Sequence, residues 1–318
     1  MQALSTNRSV SDEVRAVALR AGTLLAALSC ALCRYASAAP PAPLPAFTAE
    51  TTLLVVSPHP DDETLCCAGV MQAVRNAGGH VSIVWITNGD GSRLGSLTVE
   101  HDMFIDPQRM RELGERRMRE ARHAAAELGI EAPQLYFLGY PDRGLQTLMS
   151  EHLQAPYRSP FTDASAVPYA SLHTAGHAYT GERLEQDLAQ VLEAVKPTLI
   201  LLPTPRDTHP DHSASGLLTL RVATRRGTSV SMLYWIVHSG GGWPTPRGLD
   251  RALPMEPAPR IAGLPLVAWN LTPATMQRKL QAIEEYHTQT RVMASFLFAF
   301  VRTSELFTTL PDAAADRR

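Results

Sequence analysis

The sequence predicts an α/β fold, a mostly parallel sheet covered by helices on both faces. Three observations lead there. Short apolar, β-branched runs recur along the chain, each the mark of a strand buried on both sides. Between them lie longer segments with apolar side chains at helical spacing. The two kinds alternate, and strand–helix–strand succession means parallel crossovers.

The elements follow in order. Arg8, Arg15 and Arg20 lead into Ala21 to Cys33, an uncharged stretch, and then to Ala36-Ser37-Ala38. A basic start, an apolar centre and a small-x-small site are the marks of a secretory signal peptide, so residues 1–38 are expected to be removed on export, periplasmic or secreted. Residues 39–50 are Pro-rich and read as an extended linker. The domain itself is expected over 51–300. Thr52 to Ser57 is a buried parallel strand, Asp62 to Asn76 a helix stopped by Gly78-Gly79, and His80 to Asn88 a second strand. Gln108 to Gly129 is a charged amphipathic helix and Gln134 to Gly139 a third strand. A turn-rich insert, 144–181, is long for a connection and reads as a binding loop or lid. Its Tyr157, Tyr169 and Tyr179 either stack on sugar rings or form the loop's own small core. Glu182 to Val195 is a helix, Thr198 to Pro203 a fourth strand, His212 to Arg226 a helix and Ser231 to His238 another strand. After a second turn-rich stretch, Thr272 to Gln289 is a late helix, and 301–318 is left as a tail.

Bulk properties set the limits. With 318 residues, 45% hydrophobic and 19% charged, the chain can bury a large core and is not a disordered one. Lys and Arg number 29 against 31 Asp and Glu, so nothing marks a nucleic-acid binder. The six Arg between Arg109 and Arg122 alternate with Glu112, Glu115 and Glu120 and describe a solvated helix face. No apolar run is long enough to span a membrane. Thr87 to Gly95 carries neither G-x-G-x-x-G nor a Walker lysine, which excludes a nucleotide loop. Cys66 and Cys67 are adjacent, an awkward ring for a disulfide, and read as packing residues.

The chemistry sits at two strand ends. Ser57-Pro58-His59-Pro60-Asp61-Asp62-Glu63 follows the first strand, and Asp207-Thr208-His209-Pro210-Asp211-His212 follows the fourth. Ligands of open parallel sheets bind beyond the carboxyl ends of the strands. Two His and an Asp with one open position is the ligand count of a catalytic zinc site, which takes N and O donors at about 2.0–2.2 Å. Consecutive side chains diverge, so Asp61 cannot share a metal with Asp62 and is free to take a proton from an activated water.

On these residues the chain resembles the zinc-dependent N-deacetylases of the PIG-L/LmbE-like family. Supporting matches are Thr87-Asn88-Gly89-Asp90-Gly91, Arg117-x-x-Glu120, Leu138-Gly139-Tyr140-Pro141-Asp142 and a late Lys279…Tyr286-His287-Thr288-Gln289, so the likeness runs from Leu53 to Gln289. It implies a Rossmann-like sheet and hydrolysis of an acetamido group on a GlcNAc-type amino sugar or glycoconjugate. By matching position, His59, Asp62 and His212 would hold one zinc per chain and Asp61 would be the general base. His209 would stabilise the oxyanion or act as acid, Asp211 would orient a neighbouring His, and Arg117 and Asp142 would lie near the sugar. Two other classes compete: a metal-dependent phosphoesterase, which wants more ligands than these turns supply, and a carbohydrate-binding protein that would have lost its base.

Overall fold

A computed structural model describes residues 41–92, 106–226 and 230–309. The expected signal peptide, residues 1–38, lies outside the described residues, as does the end of the expected tail.

Eight strands form one sheet: β1 (Ala42–Pro43), β2 (Thr52–Ser57), β3 (His80–Thr87), β4 (Leu135–Tyr140), β5 (Leu199–Pro203), β6 (Ser231–Trp235), β7 (Leu266–Asn270) and β8 (Ser304–Thr308). Their order is β1-β7-β8-β6-β5-β2-β3-β4. Every pairing is parallel except those of β8, which runs antiparallel to both β6 and β7. Among the described residues, seven helices longer than one turn accompany them: α1 (Asp62–Asn76), α2 (Pro107–Glu127), α3 (Leu145–Ser150), α4 (Gly181–Val195), α5 (Pro210–Arg225), α6 (Pro273–Glu284) and α7 (His287–Leu297). They pack in two groups, α1 and α2 with α6, and α3 and α4 with α5. This is the α/β arrangement that the alternating pattern predicts. None of the described helices is long and apolar enough to cross a membrane.

The central strands are apolar along their middles because both of their faces are covered; Leu53, Leu54, Val55 and Val56 of β2 and Ile83, Val84, Trp85 and Ile86 of β3 are fully buried. Chain direction across the sheet changes at β2. From there the chain moves out through β3 to β4, then returns to place β5 on the other side of β2. That reversal leaves a crevice beyond the ends of β2 and β5. The two motif-bearing turns emerge from those two strands.

Several expectations need correction. The linker is extended, but Ala42 and Pro43 pair with Val267 and Ala268, so it docks on the sheet edge as β1. Residues 301–309 are not a free tail: β8 lies inside the sheet, and its Glu305 is buried. The late helix is two helices broken at Glu285–Tyr286. Insert 144–181 starts with α3 and packs Leu145, Leu148, Val167 and Tyr169 into the core. Tyr169 and Tyr179 are buried, Tyr179 donating to the Gly139 carbonyl at 3.1 Å, so neither can stack on a sugar. Cys66 and Cys67 pack in the core as expected, and beyond that reading their sulfurs are bonded to each other.

Candidate active site

The turn after β2 is held from several sides. Ser57 Oγ donates to the His59 carbonyl at 2.6 Å, and Thr87 Oγ1 at the end of β3 donates to the Pro58 carbonyl at 2.9 Å. Gln289 Nε2, on α7, donates to the Pro60 carbonyl at 2.6 Å. Glu63 Oε2 accepts from Trp85 Nε1 at 2.8 Å, Ser57 Oγ at 3.1 Å and the Asp61 amide at 3.3 Å. Its other oxygen accepts from the Tyr286 hydroxyl. Burial raises the Glu63 pKa, and hydrogen bonds from Tyr286, Thr64 and Trp85 oppose that rise. So braced, the turn carries Asp61 at φ 123°, a region side chains rarely adopt.

The second turn, after β5, is organised by Asp207. Its Oδ1 accepts the His209 amide at 2.8 Å, and its Oδ2 accepts the amides of Val237 and His238 at 3.0 Å and lies 3.1 Å from His212 Nδ1. His209 caps α5, its Nδ1 accepting the Asp211 amide at 3.3 Å. Asp211 is fully buried: Oδ2 accepts the Arg143 amide at 2.6 Å and lies 3.2 Å from His59 Nε2, while Oδ1 accepts the Leu145 amide at 3.1 Å. Arg143 takes φ 64° to make that contact.

The two turns meet. His59 Nδ1, Asp62 Oδ2 and His212 Nε2 form a triangle with sides of 3.2, 3.1 and 3.2 Å. Three donors of a tetrahedral site at about 2.05 Å from an ion would stand about 3.3 Å apart, so the spacing fits a small divalent cation. The chemistry fits as well. With Nδ1 directed at Asp207, His212 turns Nε2 toward the Asp62 carboxylate; the two carboxylates favour the protonated ring, and a divalent cation would take the place of its Nε2 proton. His59 with His209 and His212, and Asp62 with His212 and His238, also bring potential ligand atoms within 4.8 Å of one another.

Electrostatics follow from burial and these pairings. Burial lowers the His212 pKa, but Asp62 and Asp207 outweigh it and carry it up to about 10. His59 is likewise raised, its burial outweighed by Asp142, Asp211 and Asp62. Burial alone would raise Asp62, yet His212 and His59 hold it well below the usual carboxylate range. Asp61 goes the other way, raised well above by burial and by Asp62 against the pull of Arg117. Burial, then the neighbouring imidazoles, depress His209 to about 2 and His238 to about 4.

His59, Asp61, Asp62, Arg117, Asp142 and His209 line one solvent-open cleft of about 760 Å³, with Asp211 and His212 buried behind it. All eight residues singled out in the sequence therefore converge. Arg117 enters over Gly89, where a Cβ would stand 2.5 Å from its guanidinium, and donates to the Gly89 carbonyl at 2.8 Å. Asp142 accepts the Gly91 amide at 2.8 Å and lies 3.2 Å from His59 Nε2, whose proximity holds its pKa low despite burial. Among the described residues, no part of insert 144–181 lines the cleft.

Sequence reasoning missed Glu63, Arg143, Asp207, His238 and Gln289. Glu63 and Asp207 stand inside the quoted motifs and could have been found by asking what holds each turn. His238 is a lone histidine three residues past the end of β6, and no local pattern marks it.

The family model PIG-L, described as GlcNAc-PI de-N-acetylase, matches residues 54–223. A 1D-myo-inositol 2-acetamido-2-deoxy-alpha-D-glucopyranoside deacetylase of Mycobacterium sp. (strain KMS) is 29% identical over 211 residues, 64% of this chain and 60% of its own length. A probable N-acetyl-alpha-D-glucosaminyl L-malate deacetylase 2 of Bacillus anthracis is 30% identical over 156 residues, 47% of this chain and 64% of its own. The match thus spans about 60% of the length of the first of these relatives. Among solved structures, a pseudoaglycone deacetylase of an antimicrobial reagent aligns with TM-score 0.53 at 18% identity, covering 82% of this chain and 97% of that one. A triple mutant of a deacetylase involved in the teicoplanin biosynthetic pathway aligns with TM-score 0.51 at 16% identity, covering 83% and 99%. At such identities the likeness is one of fold.

Proposed function

The chain belongs to the PIG-L family of GlcNAc-PI de-N-acetylases, and from that premise we propose that it is an exported, metal-dependent hydrolase that removes the N-acetyl group of a GlcNAc-type amino sugar, releasing acetate and a free amine. The observation that carries this reading is the triangle of His59 Nδ1, Asp62 Oδ2 and His212 Nε2 with the Asp61 carboxylate on the cleft beside it. Export rests on residues 1–38 alone.

His59, Asp62 and His212 would hold zinc. Once bound, zinc acidifies water to a pKa near 7 and polarises a carbonyl oxygen. The rest is the work of this chain's own groups. Asp61, whose burial favours the protonated form, accepts the proton of the attacking water on a carboxylate oxygen. His209 accepts a hydrogen bond at Nδ1, so its proton sits on Nε2 and a neutral imidazole can donate to the oxyanion. Asp211 fixes the ring of His59 and Asp207 that of His212, holding each tautomer. Arg117 and Asp142 border the cleft, where sugar hydroxyls would meet them.

The test is metal content by mass spectrometry on the mature chain, paired with amine release from GlcNAc and its short oligomers. About one zinc per chain, with amine release abolished in Asp61→Ala, is the expected result. Bound metal without amine release from any acetamido sugar would overturn the substrate class, and absence of metal would overturn the site.

A further inference from the structure

A second pocket lies at the far end of α1 from the metal-bearing turn. With 15 residues in that helix, about 20 Å separates its two ends. The pocket is open to solvent, about 770 Å³ in volume, and sits where the C-termini of α1 and α2 meet the N-terminus of α6. Gln72 forms part of its floor: the side chain is buried, and its Nε2 donates to the Thr275 carbonyl at 3.2 Å, tying α1 to α6. The described residues that line it include two arginines, Arg75 and Arg278, and no carboxylate. Other arginines of this surface find acids, Arg158 pairing with Asp163 and Arg225 with Glu185. The guanidinium groups of Arg75 and Arg278 have no ion pair or hydrogen bond among the described residues.

Arg75 has part of an explanation in the fold. Both α1 and α2 end here, and its charge offsets the negative ends of their dipoles. Its side chain is seated over Gly129, where a Cβ would stand 3.1 Å from Nε. Arg278 has no such role, since it stands in the first half of α6, whose positive end faces the pocket. The Thr272 hydroxyl caps the Thr275 amide there at 3.2 Å, and the Ala274 amide, one residue earlier, has no partner among the described residues. Two guanidinium groups and an open helix N-terminus thus direct positive charge into one pocket from two helices, and an anion is what balances it. We propose that this pocket binds an oxyanion, phosphate or carboxylate, borne on a hydroxylated carrier such as a sugar. Arg75 and Arg278 take the oxyanion, while Gln72 and Asn76 meet the hydroxyls. A carrier is required because the pocket is many times the roughly 30 Å³ that one water occupies, far more than a bare oxyanion fills. No described residue lines both this pocket and the catalytic cleft, so the site stands apart from the deacetylase reading.

Calorimetry on the zinc-loaded protein at low salt tests this, with glucose 1-phosphate, glucuronate, inorganic phosphate and glucose as probes. At least one of the two anionic sugars should bind about tenfold or more tightly than inorganic phosphate and than glucose, and the one that does identifies the oxyanion. Arg278→Gln, a change to an exposed side chain, should weaken that binding about tenfold or more, the worth of one hydrogen bond to a charged group. Added salt should weaken it in wild type. Zinc content and melting temperature should be unchanged in Arg278→Gln, which separates loss of the site from damage to the cleft or the fold. Three results overturn the proposal: no binding of either anionic sugar, affinity unchanged in Arg278→Gln, or inorganic phosphate or glucose binding as tightly as the anionic sugar. Failure of GlcNAc turnover would overturn the deacetylase reading and leave these binding results as they are.

Discussion

Asp61 combines two unfavourable conditions, a carboxylate raised by burial and a backbone at φ 123°. Neither serves the fold. Residues held in such regions cost on the order of 1–3 kcal/mol and persist where the surroundings over-determine them, here through Glu63, Gln289 and Ser57. Asp61→Gly should therefore gain about 1 kcal/mol in urea denaturation while amine release disappears. Asp61→Asn should keep its zinc, by mass spectrometry, and lose about 10²–10⁴-fold in kcat, the span of a general base. A second residue-scale test concerns Asp90, whose carboxyl burial drives up to about 7 against the hydrogen bond from Tyr169. Its folded pKa exceeds its unfolded value, so the folded state holds the proton longer. Stability from this group is complete below about pH 4 and is lost as pH rises to about 7. Urea midpoints taken at pH 4.5 and 7.5 should show that loss in wild type and a smaller one in Asp90→Asn.

Among elements, the strands and helices from Thr52 to Arg225, apart from the short α3 in the insert, were legible because each carries its own signal: β-branched runs, helical apolar spacing, Gly or Pro at the ends. The eight site residues were legible for a related reason, since motif residues cluster on turns that follow strong strands. The last eighty residues carry weaker signals. Leu266–Asn270 is short and emerges from a Pro-rich stretch, and Ser304–Glu305-Leu306 reads as a polar end until the sheet around it is known. Long-range partners decide these elements. Glu305 accepts the amides of Gly69 and Val70 on α1 at 2.8 and 3.1 Å, and Lys279 on α6 bonds both Glu305 and the Leu65 carbonyl. This buried pair ties β8, α6 and α1 together just beyond the metal-bearing turn. Lys279→Met should destabilise by about 3–5 kcal/mol by stranding Glu305, and adding Glu305→Gln should recover part of it. Thermal melts of both variants would read this out.

For the molecule as a whole, the site is where the sheet reverses its direction of growth, and both halves of the ligand set come from turns that only tertiary structure brings together. Zinc should therefore bind the folded chain far better than the unfolded one. At free zinc of about 100 Kd, the gain is about 2.7 kcal/mol. A domain of this size should melt several degrees higher with zinc than after chelation, at about 2–4 °C per kcal/mol. Equal melting temperatures with and without chelator would contradict the coordination geometry.

The matched family segment, residues 54–223, contains His59, Asp61, Asp62, His209 and His212. His238 and the cleft residues Val292, Met293 and Phe296 of α7 lie beyond it in the chain. On the proposed reading, the groups assigned to bond cleavage and part of the cleft wall thus come from consecutive stretches of polypeptide. A chimera that exchanges only the later stretch with a relative's should inherit the donor's appetite and keep the host's chemistry.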